Sequence, residues 1–179
     1  MSTESLPEGT ARVLAAARNL PVLSMVFRRL DPRQQEIISM LRRTMIFSDL
    51  SVSELIELMH LLHERIFAPG ETIFNEGEPG LGLYVVFRGE VEIGKAMKDG
   101  KGRVARLGPG EVFGEVSFVD GSGRSATATS GAKTELIGFY RTELFDLCKR
   151  KPALASKILL ALARQMGTRM RAMLQMLPQ

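Results

Sequence analysis

The sequence predicts a mainly β fold with flanking helices: an antiparallel β jelly-roll barrel (double-stranded β-helix) with N-terminal helices and a long C-terminal helix. Three observations lead to this prediction. A chain of 179 residues suits one domain with a helical annex. Between about residues 65 and 139, short apolar stretches alternate with turns that contain glycine or proline. On either side of this region, apolar residues recur three and four positions apart, as in helices.

The first 44 residues are predicted to form an N-terminal helical extension. Residues 11–18 are rich in helix formers, and Pro21 interrupts them. Asp31 and Pro32 have the residue types of an N-cap and a first helical position. The apolar residues that follow at helical spacing are Ile37, Ile38, Leu41 and Met45. We expect residues 9–44 to be the part that docks on a partner or contributes to a dimer.

A second helix is predicted just after this extension. Ser51 and Glu54 form a capping box, in which each side chain satisfies the other residue's backbone N–H. The helical pattern is read as far as about Glu64, which places both histidines, His60 and His63, three positions apart on a helix.

The barrel region is predicted to contain short strands between regularly spaced turns. The turns are marked by Pro-Gly pairs at 69–70, 79–80 and 109–110, and by Asp99-Gly100, which is typical of a hairpin. The predicted strands cover residues 72–74, 83–87, 91–93, 104–107, 126–129 and 136–139.

The C-terminal part, residues 141–177, returns to a helical pattern. A short helix is predicted over residues 141–149, and a longer one begins at Pro152 with no glycine until Gly167. Its apolar stripe consists of Ala155, Leu159, Leu162, Met166, Met170, Met173 and Leu177. Such a stripe suits packing on the barrel near its start and pairing with a second chain near its end, as a homodimer. Packing within one chain along its whole length is the alternative.

Composition narrows the classes of function. One cysteine excludes an internal disulfide framework and fits a reducing compartment. No apolar run approaches the roughly 20 residues that cross a bilayer, and the N-terminus has no signal-peptide pattern. A cytoplasmic protein without membrane contact is therefore expected. The net charge is +4, and the basic excess is concentrated from Arg141 onward; this is typical of a solvated helix face or of a surface that meets an anion.

The chemistry is expected in residues 113–127, Phe-Gly-Glu-Val-Ser-Phe-Val-Asp-Gly-Ser-Gly-Arg-Ser-Ala-Thr. Gly114 allows close backbone approach to a ligand, and one helical turn after it would offer free N–H groups to a phosphate. Arg124 adds a planar cationic fork, and Ser125 adds a hydroxyl. Glu115 would repel a phosphate, but it can accept a hydrogen bond from a sugar hydroxyl. This combination indicates a ligand with a sugar hydroxyl beside its phosphate.

The same segment resembles the phosphate-binding cassette of the cyclic nucleotide-binding domain family, which includes catabolite activator protein-like and kinase regulatory subunit-like members. The matching runs are Phe113-Gly114-Glu115 and Arg124-Ser125-Ala126-Thr127. The framing glycine motifs at 69–74, 76–78, 89–92 and 107–111 match as well. The resemblance covers about residues 45–176, and it implies a cyclic nucleotide-binding domain over residues 45–179, with its barrel at about 65–139.

The resemblance also implies roles for individual residues. Glu115 would accept from the ribose 2′-hydroxyl, and Arg124, assisted by Ser125, would pair with the cyclic phosphate. Gly114 and the amides of Val116 and Ser117 would complete the cradle. Val104 would line the base pocket, and Arg169 would stack over the base. Two departures stand out: Gly123 replaces a common proline, and Leu81 replaces a common aspartate.

The predicted function is a cyclic nucleotide-binding sensor, with cAMP favoured over cGMP, that signals through the C-terminal helix to an unknown protein partner. No cofactor is expected. A ligand-free dimerisation or docking module of the same fold is the alternative. A surface ion pair between Glu115 and Arg124 would be the simplest structural role for those two residues. A metal-dependent enzyme is not expected, since the barrel region has no histidine. Sequence-specific DNA binding is not expected either, because no helix-turn-helix pattern follows the long helix.

Overall fold

The computed structural model describes residues 30–97 and 100–175. Its α-helices are α1 (Pro32–Leu41), α2 (Val52–Met59), α3 (Glu115–Asp120), α4 (Arg141–Arg150) and α5 (Pro152–Gln175). Its strands are β1 (His63–Phe67), β2 (Thr72–Phe74), β3 (Gly82–Arg88), β4 (Val91–Met97), β5 (Gly100–Leu107), β6 (Val112–Phe113), β7 (Thr127–Ser130) and β8 (Thr134–Tyr140). The helix predicted over residues 11–18 and most of the expected docking segment 9–44 lie outside the described residues.

The eight strands form two four-stranded antiparallel sheets, which confirms the predicted jelly-roll fold. The strand orders are β1-β8-β3-β6 and β2-β7-β4-β5. The register of β4 with β5 runs from Val91 opposite Leu107 to Met97 opposite Gly100, as a hairpin requires. The loop between β6 and β7 contains α3, so the segment expected to bind the ligand lies between one sheet and the other.

Two helices begin at the predicted residues. Asp31 caps α1 by accepting from the Gln34 backbone N–H at 2.9 Å, with Pro32 at the first helical position. At α2, the Ser51 N–H donates to Glu54 Oε2 at 2.8 Å, and the Ser51 hydroxyl accepts from the Glu54 N–H at 3.3 Å. The capping-box prediction is therefore confirmed, and both helices start where side chains satisfy otherwise unpaired N–H groups.

The predicted extension of α2 to about Glu64 is wrong. The helix ends at Met59, His60 is its C-cap, and His63 is the first residue of β1. His63 pairs with Gly138 of β8. The sheet hydrogen bonds offered by β8 override a helical pattern that depended only on local spacing.

Met45 is also placed differently from the prediction. It lies in a short 3-10 turn, Met45–Phe47, after α1 has ended, and its side chain is exposed. The next two residues, Ile46 and Phe47, are buried instead. The α-helix ends at Leu41 and a 3-10 turn begins at Met45, and this change of helix type alters which positions face the core. The spacing that places apolar residues on one helix face therefore holds only as far as Leu41.

A continuous apolar core joins the helices to the first sheet. It includes Ile38 and Leu41 of α1, Leu83 of β3, Phe118 of α3 and Ile158 of α5, together with other residues of α2, α4 and β8. A second cluster fills the interior between the sheets, around Phe74, Val86, Phe113 and Leu136. Helix α1 therefore shares its core with the segments after residue 45, and the boundary placed at residue 44 stays a prediction.

Candidate functional site

Helix α3 is a short element framed by two glycines. Strand β6 ends at Phe113, Gly114 follows with φ of 75°, and the helix ends at Gly121 with φ of 76°. These positive φ values suit glycine, because a side chain there would clash with its own backbone. The first backbone bond of the helix joins the Phe118 N–H to the Gly114 carbonyl at 3.3 Å. The N–H groups of the first turn are not needed within the helix, as the sequence predicts for a phosphate cradle.

The position of α3 is fixed by packing on both sides. Phe118 is 1% exposed, and its ring lies 5.6 Å from that of Phe139. Ser117 is buried, and its hydroxyl donates to the Gly123 carbonyl at 3.2 Å. On the opposite side, a Cβ at Gly80 would lie 2.0 Å from the Ser117 Cβ, so only glycine fits there. The helix is thus held between the core and the turn at residue 80.

The backbone of Arg124 is held by the turn that precedes β3. The Arg124 N–H donates to the Glu78 carbonyl, and the Gly77 N–H donates to the Arg124 carbonyl, both at 2.8 Å. Leu81, where an aspartate is common, is exposed, and its carbonyl accepts from the Arg141 N–H at 2.9 Å. This turn therefore positions Arg124 through backbone contacts without an acidic side chain at residue 81.

The Arg124 side chain is buried at 5% exposure with its hydrogen bonds incomplete. Its Nη1 donates to the Gly114 carbonyl at 3.0 Å, and its guanidinium lies 4.1 Å from the centre of the Phe74 ring. Its Nε is buried without a hydrogen-bond partner. Burial lowers the pKa of Arg124, because leaving water disfavours the charged form. A buried guanidinium with an unpaired donor can bind an anionic oxygen, such as that of a phosphate or a carboxylate.

Glu115, the predicted ribose ligand, is 2% exposed and is engaged by helix α5. Its Oε1 accepts from Nη1 of Arg169, and Nη2 of the same guanidinium donates to the Val112 carbonyl at 2.7 Å. The alternative of a surface ion pair between Glu115 and Arg124 does not describe this arrangement. Both side chains are buried, and the ion pair of Glu115 is with Arg169.

The other predicted residues are distributed around this centre. Ser125 is exposed in the bend before β7, and Val116 is partly exposed on the outer side of α3. Val104 belongs to β5, opposite β4 in the second sheet, and its side chain lies outside the described part. The structure therefore brings Gly114, Glu115, Ser117, Arg124 and Arg169 together, while base contacts by Val104 and Arg169 stay predictions.

Three contributors to the site were missed by reasoning from sequence. Phe74 supplies the ring under Arg124, the Val112 carbonyl accepts from Arg169, and Gln165 is buried one turn before Arg169 with its Oε1 unpartnered. The first two contacts join residues 50 and 57 positions apart, and the burial of Gln165 depends on how α5 packs. The spacing of residues within one segment does not predict the first two contacts. The burial of Gln165 could have been predicted, because it lies on the packed face of a helix.

The site lies in a jelly-roll barrel and combines a glycine-framed helical turn, a buried arginine with an unpaired Nε and a nearby buried glutamate. Together these features indicate a regulatory barrel that binds a small molecule. The family model for the cyclic nucleotide-binding domain matches residues 64–151. The chain belongs to this family, whose ligand is a cyclic nucleotide, and the prediction of a binding module in place of an enzyme is thereby confirmed.

The relatives come from several kinds of regulator. Over 120 residues the chain is 38% identical to a putative potassium channel protein of Rhodopseudomonas palustris, covering 67% of this chain and 29% of that protein. Over 122 residues it is 34% identical to the cyclic AMP receptor protein of Thermus thermophilus, covering 68% and 56%. The crystal structure of the N-terminal domain of a Streptomyces coelicolor transcriptional regulator matches with TM-score 0.68 and 34% identity, covering 75% and 94%.

The matched region thus spans 29% and 56% of the length of these two curated relatives. Among residues 30–97 and 100–175, no helix is long and apolar enough to span a bilayer. Within the same residues, no cluster of three or more histidine, cysteine, aspartate or glutamate side chains is arranged to hold a metal ion.

Proposed function

We propose that this chain is a regulatory domain that binds cAMP in preference to cGMP and passes the binding event on through helix α5. The observation that carries the proposal is the buried Arg124 guanidinium, whose Nε has no partner beside the free N–H groups of α3. Leaving a buried donor unpaired costs free energy, and a cyclic phosphate at this point would remove that cost.

The proposed binding mode assigns each end of the ligand to one charge. The phosphate contacts Arg124 and the N–H groups of Val116 and Ser117, with Ser125 assisting from the edge of the loop. The ribose 2′-hydroxyl donates to Glu115, which would repel the phosphate but suits a neutral donor. Ligand orientation then follows from these two charges, which both lie beside the start of α3.

The preference for cAMP is supported by a relative and by one residue. The Thermus thermophilus relative is named a cyclic AMP receptor protein. Ser125 occupies the position at which the resemblance favours threonine for cGMP. In this binding mode the base lies against Val104 of β5, as the resemblance implies.

Signalling and homodimerisation are proposed to use the same helix. In the apolar stripe of α5, Ala155 and Leu162 are buried against the core, whereas Met170 and Met173 are 60% and 66% exposed. Leu159, Met166, Met170 and Met173 keep the alternating spacing of a helical seam. This supports packing on the barrel near the start of α5 and pairing with a second chain near its end. The proposal also places the domain in the cytoplasm and gives it a further protein partner.

Ligand stabilisation tests the proposed function. At a cAMP concentration 100 times the dissociation constant, the domain should gain about 2.7 kcal/mol of stability. For a chain of this size that corresponds to a rise in Tm of roughly 5 to 10 °C. At equal concentration cGMP should raise Tm less than cAMP. An unchanged Tm with both nucleotides would favour the ligand-free docking module instead.

The dimer seam has its own test. Replacing Met170 and Met173 together with glutamate should convert a dimer into a monomer, because four negative charges would face one another across the seam. Light scattering of the purified chain measures this directly. Thr168→Glu is the matched control, since it adds a charge at an exposed position on another face of α5. A wild-type chain that is monomeric at every concentration would contradict the seam.

A further inference from the structure

We propose that Arg169 is a built-in competitor for the ribose-binding carboxylate, so that the nucleotide must expel the end of helix α5 to bind. This inference rests on the proposed function. It gives Arg169 a role opposite in sign to the base contact predicted from sequence: removing this side chain should strengthen nucleotide binding.

The first support is the geometry of the contact. The Arg169 guanidinium bridges two points at the site, the Oε1 of Glu115 and the Val112 carbonyl, the latter at 2.7 Å. Both acceptors lie within two residues of Gly114, one in β6 and one at the start of α3. A planar fork with two donors engaged is a specific clamp, and a lysine would not reproduce it.

The second support is burial. The Glu115 side chain is 3% exposed, while that of Arg169 is 41% exposed. The outer partner of the pair is therefore the arginine, and it reaches the carboxylate from the solvent side. Arg169 thus already occupies one oxygen of this carboxylate, Oε1, on the side that faces solvent.

The third support is the distribution of charge. Arg124, the other arginine of the site, donates to the Gly114 carbonyl and is stacked on Phe74, and it is not ion-paired with Glu115. The charge of Glu115 is thus compensated by α5. A neutral ribose hydroxyl forms a weaker bond than a guanidinium, so the phosphate contact with Arg124 has to supply the difference.

The consequence is a coupling between ligand and helix. Arg169 lies next to Met170 and one turn before Met173, on the exposed end of α5. Release of Arg169 frees this end of the helix and changes the surface it presents. The coupling is reciprocal. A contact that stabilises the docked end of α5 lowers the affinity for the nucleotide, and the nucleotide weakens that contact by the same factor.

Calorimetric titration of cAMP into the wild-type chain, Arg169→Ala and Arg171→Ala tests the inference. Arg169→Ala should bind about 5- to 20-fold more tightly than wild type, a factor within the usual range of such couplings. Arg171→Ala should bind like wild type, because Arg171 is exposed on the same helix and its guanidinium donates to the Thr168 hydroxyl at 3.3 Å, away from Glu115. Equal or weaker binding by Arg169→Ala, with wild type binding normally, overturns the inference and leaves the proposed function intact.

The rate of amide hydrogen exchange distinguishes competition by Arg169 from a purely structural role, which would make this rate independent of cAMP. In wild type, cAMP should accelerate amide exchange over residues 166–175, since the clamp is released. In Arg169→Ala the same amides should exchange quickly with or without cAMP. Slower exchange on adding cAMP to wild type would overturn the competition. Failure of all three proteins to bind cAMP would overturn the proposed function and this inference together.

Discussion

Replacing Arg124 with leucine should lower the affinity for cAMP by about 100-fold or more. Truncating one partner of a buried, hydrogen-bonded charge pair typically costs 2–5 kcal/mol of binding free energy. In the structure Arg124 is buried beside the free N–H groups of α3, where the phosphate is expected to bind. Calorimetry measures the affinity, and Arg106→Leu, which removes an exposed arginine of β5, is the matched control.

The same substitution should leave the stability of the free protein unchanged or slightly higher. Leucine keeps apolar contact with the Phe74 ring, and it removes a buried charge whose Nε has no partner. The affinity for cAMP would then fall while the free energy of unfolding stays the same or rises, as expected of a residue whose role is to bind the ligand. An Arg124→Leu protein that is well folded and binds cAMP as tightly as wild type would show that the phosphate site lies elsewhere.

Replacing Phe118 with alanine should destabilise the protein by about 3–5 kcal/mol, as a large cavity in a packed core does. Phe118 is almost fully buried, packs on Phe139, and joins α3 to the core shared by the helices and the first sheet. Because stabilities of single domains are about 5–15 kcal/mol, this is a large fraction of the total. The urea midpoint of unfolding should fall accordingly.

Val119→Ala provides the control on the same helix. Val119 is 40% exposed, so its truncation should change stability by less than about 1 kcal/mol. The comparison separates the anchoring of α3 from its helical propensity, since both substitutions introduce alanine. Equal effects of the two variants would mean that α3 is not anchored through Phe118.

Much of the fold was predictable because it depends on local chemistry. The Ser51–Glu54 capping box, the Asp31-Pro32 start and the Pro-Gly turns are short-range patterns, and α1, α2 and the six predicted strands lie where these patterns indicate. The helical turn after Gly114 was predictable for the same reason, because a glycine-opened turn and a short apolar run are adjacent in sequence.

The remaining features depend on contacts between distant segments. His63 belongs to a strand because β8 pairs with it, although its neighbours in sequence have a helical pattern. The pairing of Glu115 with Arg169 joins residues 54 positions apart and requires α5 to lie across the end of β6. Spacing within either segment contains no information on how the two segments pack, so sequence placed Arg169 near the base and the structure places it on the carboxylate.

Titration of cAMP into the purified wild-type chain by calorimetry tests the central claim most directly. We expect saturable binding of one cAMP per chain, with an affinity that Arg124→Leu lowers by about 100-fold or more and that cGMP does not match. Absence of measurable binding by a folded wild-type chain would contradict it.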